Sequence, residues 1–425
     1  MRSVIAGPRR ILKGREYASR NHPLAIRCRM DAANLLADAD RCVKCGLCLP
    51  HCPTYRLSRN EAESPRGRIA LAQGLVGGQL QASATLAAHI DSCLSCRACE
   101  AVCPAKVPYG RIADATRALL VTPRRSRATR LLAALLDCAP ARALLRTGLW
   151  LLQSLLGAPS GSPRLPRWLR YRPAPQRLRA VPAPASGKVG LLVGCVGDVL
   201  ERSVLADALR VLESLGIEAA VPPSQGCCGA LNQHAGLAAE AKRQAARNAL
   251  AFAGCETVLA LASGCGASLR DLGAADDEAP ALSPKVRDLC GFLADRLDAS
   301  PIPLRPLPLR VAIHSACTQS NVFAAGGAIR RLLAQIPQLE LLDLASDSGC
   351  CGAAGTGFLS APDQADRLLA PKLDAAAALK PQLIVSANIG CALHLAAGLR
   401  GRGLEVEVLH PLSLLARALA PAAPR

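Results

Sequence analysis

The sequence predicts a helical, cysteine-rich unit at its N-terminal end followed by two copies of an α/β unit, and three observations carry that expectation. Two dense cysteine runs between residues 30 and 120 flank a segment with strong helix-start and helix-stop signals. Beyond residue 187 short apolar runs alternate with helical segments, the pattern of βα units in a parallel sheet. That second half also repeats itself: "KVGLLVGCVGDV" matches "RVAIHSACTQSN", "GCCGALNQ" matches "GCCGAAGT", and "TVLALASGCGASL" matches "LIVSANIGCALHL". The matched cysteines are offset by 122, 123 and 126 residues, which points to duplication of one domain.

In chain order, residues 1–29 form a basic extension with eight Lys/Arg and one Glu. The only other methionine, Met30, opens the amphipathic lead-in "MDAANLLADADRC", so Met30 is an alternative start to Met1. Residues 30–120 are the helical cysteine-rich unit. Within it, Ser64 as N-cap and Pro65 at the first helical position announce a helix that Gly77 and Gly78 close. Residues 121–186 begin with one or two helices and continue as a Pro/Arg-rich linker that holds no regular element for long. The two repeats span 187–300 and 309–421, joined by "ASPIPLRPLPLR".

Composition narrows the function. Twenty cysteines in 425 residues, without a secretory leader, predict reduced, cytosolic, metal-bound thiols rather than a disulfide framework. The most apolar stretch is interrupted by Asp137, Arg142 and Arg146, so nothing is predicted to span a bilayer. Residues 121–180 carry twelve Arg and one Asp, eleven of the nineteen net positive charges. Aromatic residues make up 2% of the chain, too few to interleave with that charge as a nucleic-acid surface requires. The charge therefore predicts docking to an acidic protein or an anionic membrane surface.

Two constellations carry chemistry. "CVKCGLCLPHCP" supplies Cys42, Cys45, Cys48 and Cys52, and "CLSCRACEAVCP" supplies Cys93, Cys96, Cys99 and Cys103; both fit C-x2-C-x2-C-x3-C-P. In the bacterial two-cluster ferredoxins with this run, three thiolates of one loop bind one [4Fe-4S] cube and the fourth reaches across to the other. By that rule Cys42, Cys45 and Cys48 share a cluster with Cys103, and Cys93, Cys96 and Cys99 share one with Cys52. Structural zinc usually spaces its CxxC pairs a dozen or more residues apart, so iron-sulfur is favoured. Lys44, Arg97 and Lys106 stand beside the ligands, where positive charge favours a reduced cluster.

The repeats supply the second constellation: Cys195, Cys227, Cys228 and Cys265 in the first, Cys317, Cys350, Cys351 and Cys391 in the second. Vicinal cysteines have Cα atoms about 3.8 Å apart, below ordinary disulfide geometry, so the pairs need another partner. Cys195, Cys265 and Cys391 follow apolar runs and are expected at carboxyl ends of strands, where open α/β sheets bind ligands. Gly229 and Gly352 permit a positive φ in the loops that bring the pairs in. Cys28, Cys138, Cys255 and Cys290 follow no pattern. The scattered histidines read as surface or satisfied core residues, and no dinucleotide fingerprint, P-loop or nucleophile elbow is present, so neither a catalytic residue nor a flavin site is predicted on this chain.

With the two cysteine runs, "PRGRI" between them, and two CCG domains ending in "ASGCGA" and "SANIGCALHL", the chain resembles the iron-sulfur subunits of bacterial glycolate oxidases (glycolate dehydrogenases) over roughly residues 30–420. The resemblance implies two [4Fe-4S] clusters and an electron-transfer subunit. A separate flavin subunit would oxidise glycolate to glyoxylate, and this chain would pass electrons towards the respiratory chain, in the cytoplasm or against the inner membrane. The wider group includes heterodisulfide reductase, lactate-utilisation and anaerobic glycerol-3-phosphate dehydrogenase subunits. The fuller motif of heterodisulfide reductases ends in CxxC, but Ser268 and His394 replace its second cysteine here. A conventional cube, a three-iron cluster, zinc or no metal therefore all remain open for the CCG domains.

Overall fold

The structure is a computed structural model that describes residues 23–121, 123–156, 187–272, 282–344 and 349–420. The Pro/Arg-rich segment 157–186 and the first 22 residues of the basic extension lie outside the described residues. The architecture is the predicted one: a helical N-terminal unit, then two α/β units.

The helix predicted from Ser64 runs Pro65–Val76; Ser64 Oγ accepts from Gly67 N–H at 2.9 Å, Pro65 occupies the first turn and Gly77 caps the end. This helix is the crosspiece between the two cysteine loops. Arg66 donates to Lys44 O in the first loop at 3.1 Å, while Arg68 donates to His89 O at 2.7 Å and Ser92 Oγ at 2.8 Å ahead of the second. Helix Pro23–Asp40 and helix Tyr109–Leu120 close the unit around Leu35, Ile69, Ala72, Tyr109 and Ile112.

Each repeat forms a four-stranded, all-parallel sheet. The strands are β1 Val189–Leu192, β2 Ala219–Ala220, β3 Thr257–Ala260 and β4 Val286–Asp288 in the first, then β5 Arg310–His314, β6 Glu340–Asp343, β7 Leu383–Ser386 and β8 Glu407–Leu409 in the second. The spatial orders are β2-β1-β3-β4 and β6-β5-β7-β8, so the duplicated sequence gives duplicated topology. Strands such as Leu383–Ser386 are buried at every position, and Leu383, Ile384 and Val385 run apolar in succession, as expected of a parallel strand covered on both faces.

The repeats exchange their last helices. Helix Pro411–Ala418, which follows β8, packs on Arg202–Ser214 of the first repeat, and Leu289–Ala299, which follows β4, packs on Ala328–Leu333 of the second. One apolar core consequently runs through both repeats, from Leu191 and Leu259 to Val311 and Val385. At the sheet ends Ser263 N–H donates to Ala387 O at 3.0 Å, so the ligand-bearing edges face each other.

Helices Pro123–Asp137 and Ala139–Leu156 form a hairpin against the first repeat. Arg142 reaches Asp198 at 2.8 Å and Arg130 reaches Glu240 at 2.7 Å, so part of the charge read as a docking surface is neutralised internally. No helix among the described residues is long and apolar enough to cross a membrane.

Glu201, between Cys195–Leu200 and Arg202–Ser214, is buried with Oε2 unpartnered, and loss of water raises its carboxyl from the ordinary 4.5 to about 8. Between those values the folded chain keeps a proton that the unfolded chain releases, so its contribution to stability is full below about pH 4.5 and declines as pH rises towards 8. Glu201→Gln is expected to flatten that decline, measured as the difference in thermal midpoint between pH 6 and pH 8. An unchanged difference would show that the carboxyl ionises freely in the fold.

Candidate metal centres

The two N-terminal cysteine loops share one backbone device. Lys44 and Gly46 in the first, and Ser95 and Arg97 in the second, alternate left-handed residues with the cysteines, which curls each loop around its thiols. Arg41 donates to Ala105 O at 3.2 Å, tying the entry of the first loop to the turn after Cys103. Cys42, Cys48 and Cys103 pack on one small core, and Cys45 is exposed.

Cys52 parts from its own loop. It lines a small cavity with Cys93, Cys96 and Cys99, closed by Thr54, Arg68 and Tyr109. Burial pushes the Cys96 and Cys99 thiols well above their ordinary range. At Cys93 burial acts the same way, but the charges of Arg68 and Arg117 and a hydrogen bond with Tyr109 bring the thiol below its ordinary value. Arg68 and Arg117 are nearly inaccessible, and Arg117 also holds Cys93 O at 2.7 Å. These two are the cations of this site, and sequence alone did not single them out. Arg97, which it did, is engaged by Glu100 at 2.9 Å and by Asp271 of the first repeat at 2.5 Å.

In each repeat the strand order reverses between the first and third strands, and the thiols collect at that crevice. Cys195 follows β1 and Cys265 follows β3; Cys317 follows β5 and Cys391 follows β7; each lies in the first turn of the next helix. The vicinal pairs enter from loops, with Gly229 at φ +91° and Gly352 at φ +82°. In both, the glycine N–H donates to the first cysteine of the pair, to Cys227 Sγ at 3.5 Å and to Cys350 Sγ at 3.4 Å. Cys195 Sγ lies 3.5 Å from Cys227 Sγ, and hydrogen bonds from the Cys195 and Cys228 thiols pull Cys227 down.

The loop of the first repeat is held from three sides. Gln225 bridges Val193 N–H and Leu191 O, Asn248 accepts from Gly226 N–H and donates to Cys227 O, and Asp137 of the hairpin accepts from Cys227 N–H at 3.1 Å. Ser268 and His394, which stand where a fuller motif has cysteine, hydrogen-bond to the loops that carry the vicinal pairs. Ser268 Oγ donates to Cys228 O at 3.5 Å, and His394 has Nδ1 3.0 Å from Cys351 O and Nε2 3.5 Å from Asp366.

All eight repeat cysteines line a single cavity of about 310 Å³ between the two sheets. Leu94, Ser95, Arg97 and Asp114 of the N-terminal unit close one side. The second cysteine loop presses onto the second repeat, where Cys96 and Cys317 pack with Leu94, Cys350 and Leu368, and Asn321 donates to Cys96 O at 2.7 Å. Sulfur-rich donor sets around enclosed space, with buried cations beside one, fit iron-sulfur clusters in the N-terminal unit and a thiolate-held metal in the repeats. Among the unpatterned cysteines, Cys255 and Cys290 are buried in apolar cores and Cys138 is exposed.

A family model described as a 4Fe-4S dicluster domain matches residues 38–107, and one described as a cysteine-rich domain matches residues 189–270 and 311–396. The chain is 32% identical to the glycolate oxidase iron-sulfur subunit of Escherichia coli (strain K12), over 92% of this chain and 97% of that one. It is 31% identical to the probable glycolate oxidase iron-sulfur subunit of Bacillus subtilis (strain 168), over 92% and 95% respectively. The chain belongs to the family of glycolate oxidase iron-sulfur subunits. It is an iron-sulfur electron-transfer protein. Lactate utilization protein A of Oceanobacillus iheyensis is also similar, 27% identical over 54% of this chain and 96% of that one.

The CCG glycine admits no side chain: a Cβ on Gly352 would stand 2.7 Å from Ala365 O, and φ is positive. Gly352→Ala is expected to cost about 1–3 kcal/mol and to lower metal content per folded chain. Thermal melting with metal analysis checks this, and a variant with wild-type stability and loading would refute the tight turn.

Proposed function

We propose that this chain is the electron-transfer subunit of a flavin-dependent 2-hydroxy acid dehydrogenase complex. Glycolate is oxidised to glyoxylate on a separate flavin subunit, with release of two electrons and two protons. The observation that carries this reading is the succession of thiol sets, from the exposed loop of Cys45 through the cavity of Cys52, Cys93, Cys96 and Cys99 to the eight-thiol cavity between the repeats. A [4Fe-4S] cluster is a one-electron carrier, so thiol-held sites in contact divide the electron pair that hydroxy-acid oxidation releases. Cys42, Cys45, Cys48 and Cys103 are proposed to hold one cluster, and Cys93, Cys96, Cys99 and Cys52 the other. The eight repeat cysteines are proposed to hold further metal.

Glycolate is favoured over lactate because the glycolate oxidase relatives align with 92% of the chain and the lactate-utilisation relative with 54%. The Arg-rich segment 121–180 is the proposed docking surface for the flavin partner or the cytoplasmic face of the membrane, and the hairpin 123–156 is its described part. It exposes Leu131, Leu135, Leu144 and Leu151 within the most basic part of the sequence.

Anaerobic purification with bound partners, followed by iron, sulfide and flavin analysis, is expected to yield at least two [4Fe-4S] clusters per chain and flavin only on the partner. Flavin bound to this chain in isolation would overturn the division of labour. Association with the partner or with anionic vesicles is expected to weaken as salt rises. Neutralising Arg164, Arg167 and Arg170 should weaken that dependence, and association that does not change with salt rejects electrostatic docking.

Cys52→Ser is expected to damage the cluster of Cys93, Cys96 and Cys99 more than that of Cys42, Cys45 and Cys48. The opposite loss in the electron paramagnetic resonance spectrum would reverse the ligand assignment.

A further inference from the structure

The two repeats share strand order and four thiol positions, yet they differ beside the thiols. In the first, Leu192 ends β1 and lies in register with Ala260 of β3. At the equivalent positions of the second, His314 ends β5 and lies in register with Ser386 of β7. All four side chains are buried, so this place in the sheet packs with an apolar pair and the fold does not require the polar one.

The imidazole is held and incompletely used. His314 Nδ1 lies 3.0 Å from Ser386 Oγ, while Nε2 has no hydrogen-bond partner although the residue is 1% exposed. A His314 ring nitrogen, Cys351 Sγ and Cys391 Sγ all lie within 4.8 Å of one another. Ligands on one metal at about 2.0–2.3 Å stand about 3.5–4 Å apart, so closure takes side-chain movement of about 1 Å. When Nδ1–H donates to Ser386 Oγ, Nε2 keeps its lone pair, which is how an outer partner sets the tautomer of a metal-binding histidine. His394, the other histidine beside this loop, has both nitrogens engaged.

We propose that His314 Nε2 is a ligand of the metal centre held by the second repeat, with Ser386 as its positioning residue, so that this centre is mixed nitrogen and sulfur while the first is all sulfur. The proposal rests on the reading that the repeat cysteines hold metal. With the imidazole filling one ligand position in place of one of the four thiolates, the second centre carries one negative charge fewer, so it accepts an electron more readily and has the higher potential of the two. The duplication thereby yields two inequivalent sites around one cavity, with the second, against which the Cys96 loop packs, the stronger oxidant.

The test uses the full chain, purified anaerobically after growth with 15N-histidine or unlabelled histidine, and reads metal content and pulsed electron paramagnetic resonance. Wild type is expected to show a histidine-nitrogen coupling. His314→Leu, which installs the residue of the first repeat, should lose it, and His394→Ser should keep it. His314→Cys, which retains a donor, should keep the metal, lose the coupling and lower the potential of that centre; it serves also if His314→Leu does not fold. Metal in the second repeat without a histidine coupling, or a coupling that survives in His314→Leu or His314→Cys, overturns the ligand assignment alone. Absence of metal from both repeats in wild type overturns the underlying reading together with it.

Discussion

A thiolate taken out of water needs a positive neighbour, and the arrangement of this chain follows from meeting that need many times over. Burial pushes Cys96 and Cys99 towards the protonated thiol, the form that binds metal poorly. Protein cations cover only part of the deficit: Arg68 and Arg117 serve Cys93, and no comparable pair stands beside the eight repeat cysteines among the described residues that line their cavity. In the N-terminal unit, which matches a 4Fe-4S dicluster domain, bound clusters supply that counter-charge and their binding energy becomes part of the folding energy; the metal proposed for the repeats would do the same there. The unit of residues 23–121, whose small core includes several of its own ligand cysteines, depends on this most directly.

Duplication then does what a single repeat could not. One parallel sheet has one crevice where its strand order reverses, and the thiols of one repeat collect there. Exchange of the terminal helices, with Pro411–Ala418 on the first repeat and Leu289–Ala299 on the second, locks two such crevices face to face. The same core that stabilises the pair fixes the spacing of the eight thiols. His410 adds a polar tie across it, capping the last helix through Nδ1 while Nε2 meets Leu261 O at 3.0 Å.

What could be read from the sequence was what is periodic or local. Ser64, Pro65 and Gly77 bound a helix because capping is decided within a few residues, and the offsets of about 123 residues show the duplication without any structure. The cysteine runs announce their chemistry by spacing alone. Contacts between distant segments were not legible. Nothing near Arg117 shows that it will meet Cys93, and nothing near Asp137 shows that its carboxylate will hold the backbone of Cys227 ninety residues on. Arg97 shows the converse: proximity in sequence suggested a cation for the cluster, and Asp271 and Glu100 neutralise it in the fold.

The loop-binding roles of Ser268 and His394 follow from the same distinction between pattern and place. As positions in a motif they are two lost cysteines, which leaves the metal-binding capacity of the repeats in question. In the fold, residues one helical turn beyond Cys265 and Cys391 face the carbonyls of Cys228 and Cys351, and a hydroxyl or an imidazole satisfies that carbonyl while leaving four thiols in each crevice. The substitutions thus subtract a donor from each site without disturbing the turn that presents the others. The difference at Leu192 and His314 works in the opposite sense, because it offers a nitrogen donor in one copy only, at the carboxyl end of a central strand that both copies build in the same way. With the metal proposed for the repeats in place, a shared strand order with altered donors gives the two halves of a duplicated chain different affinities for an electron.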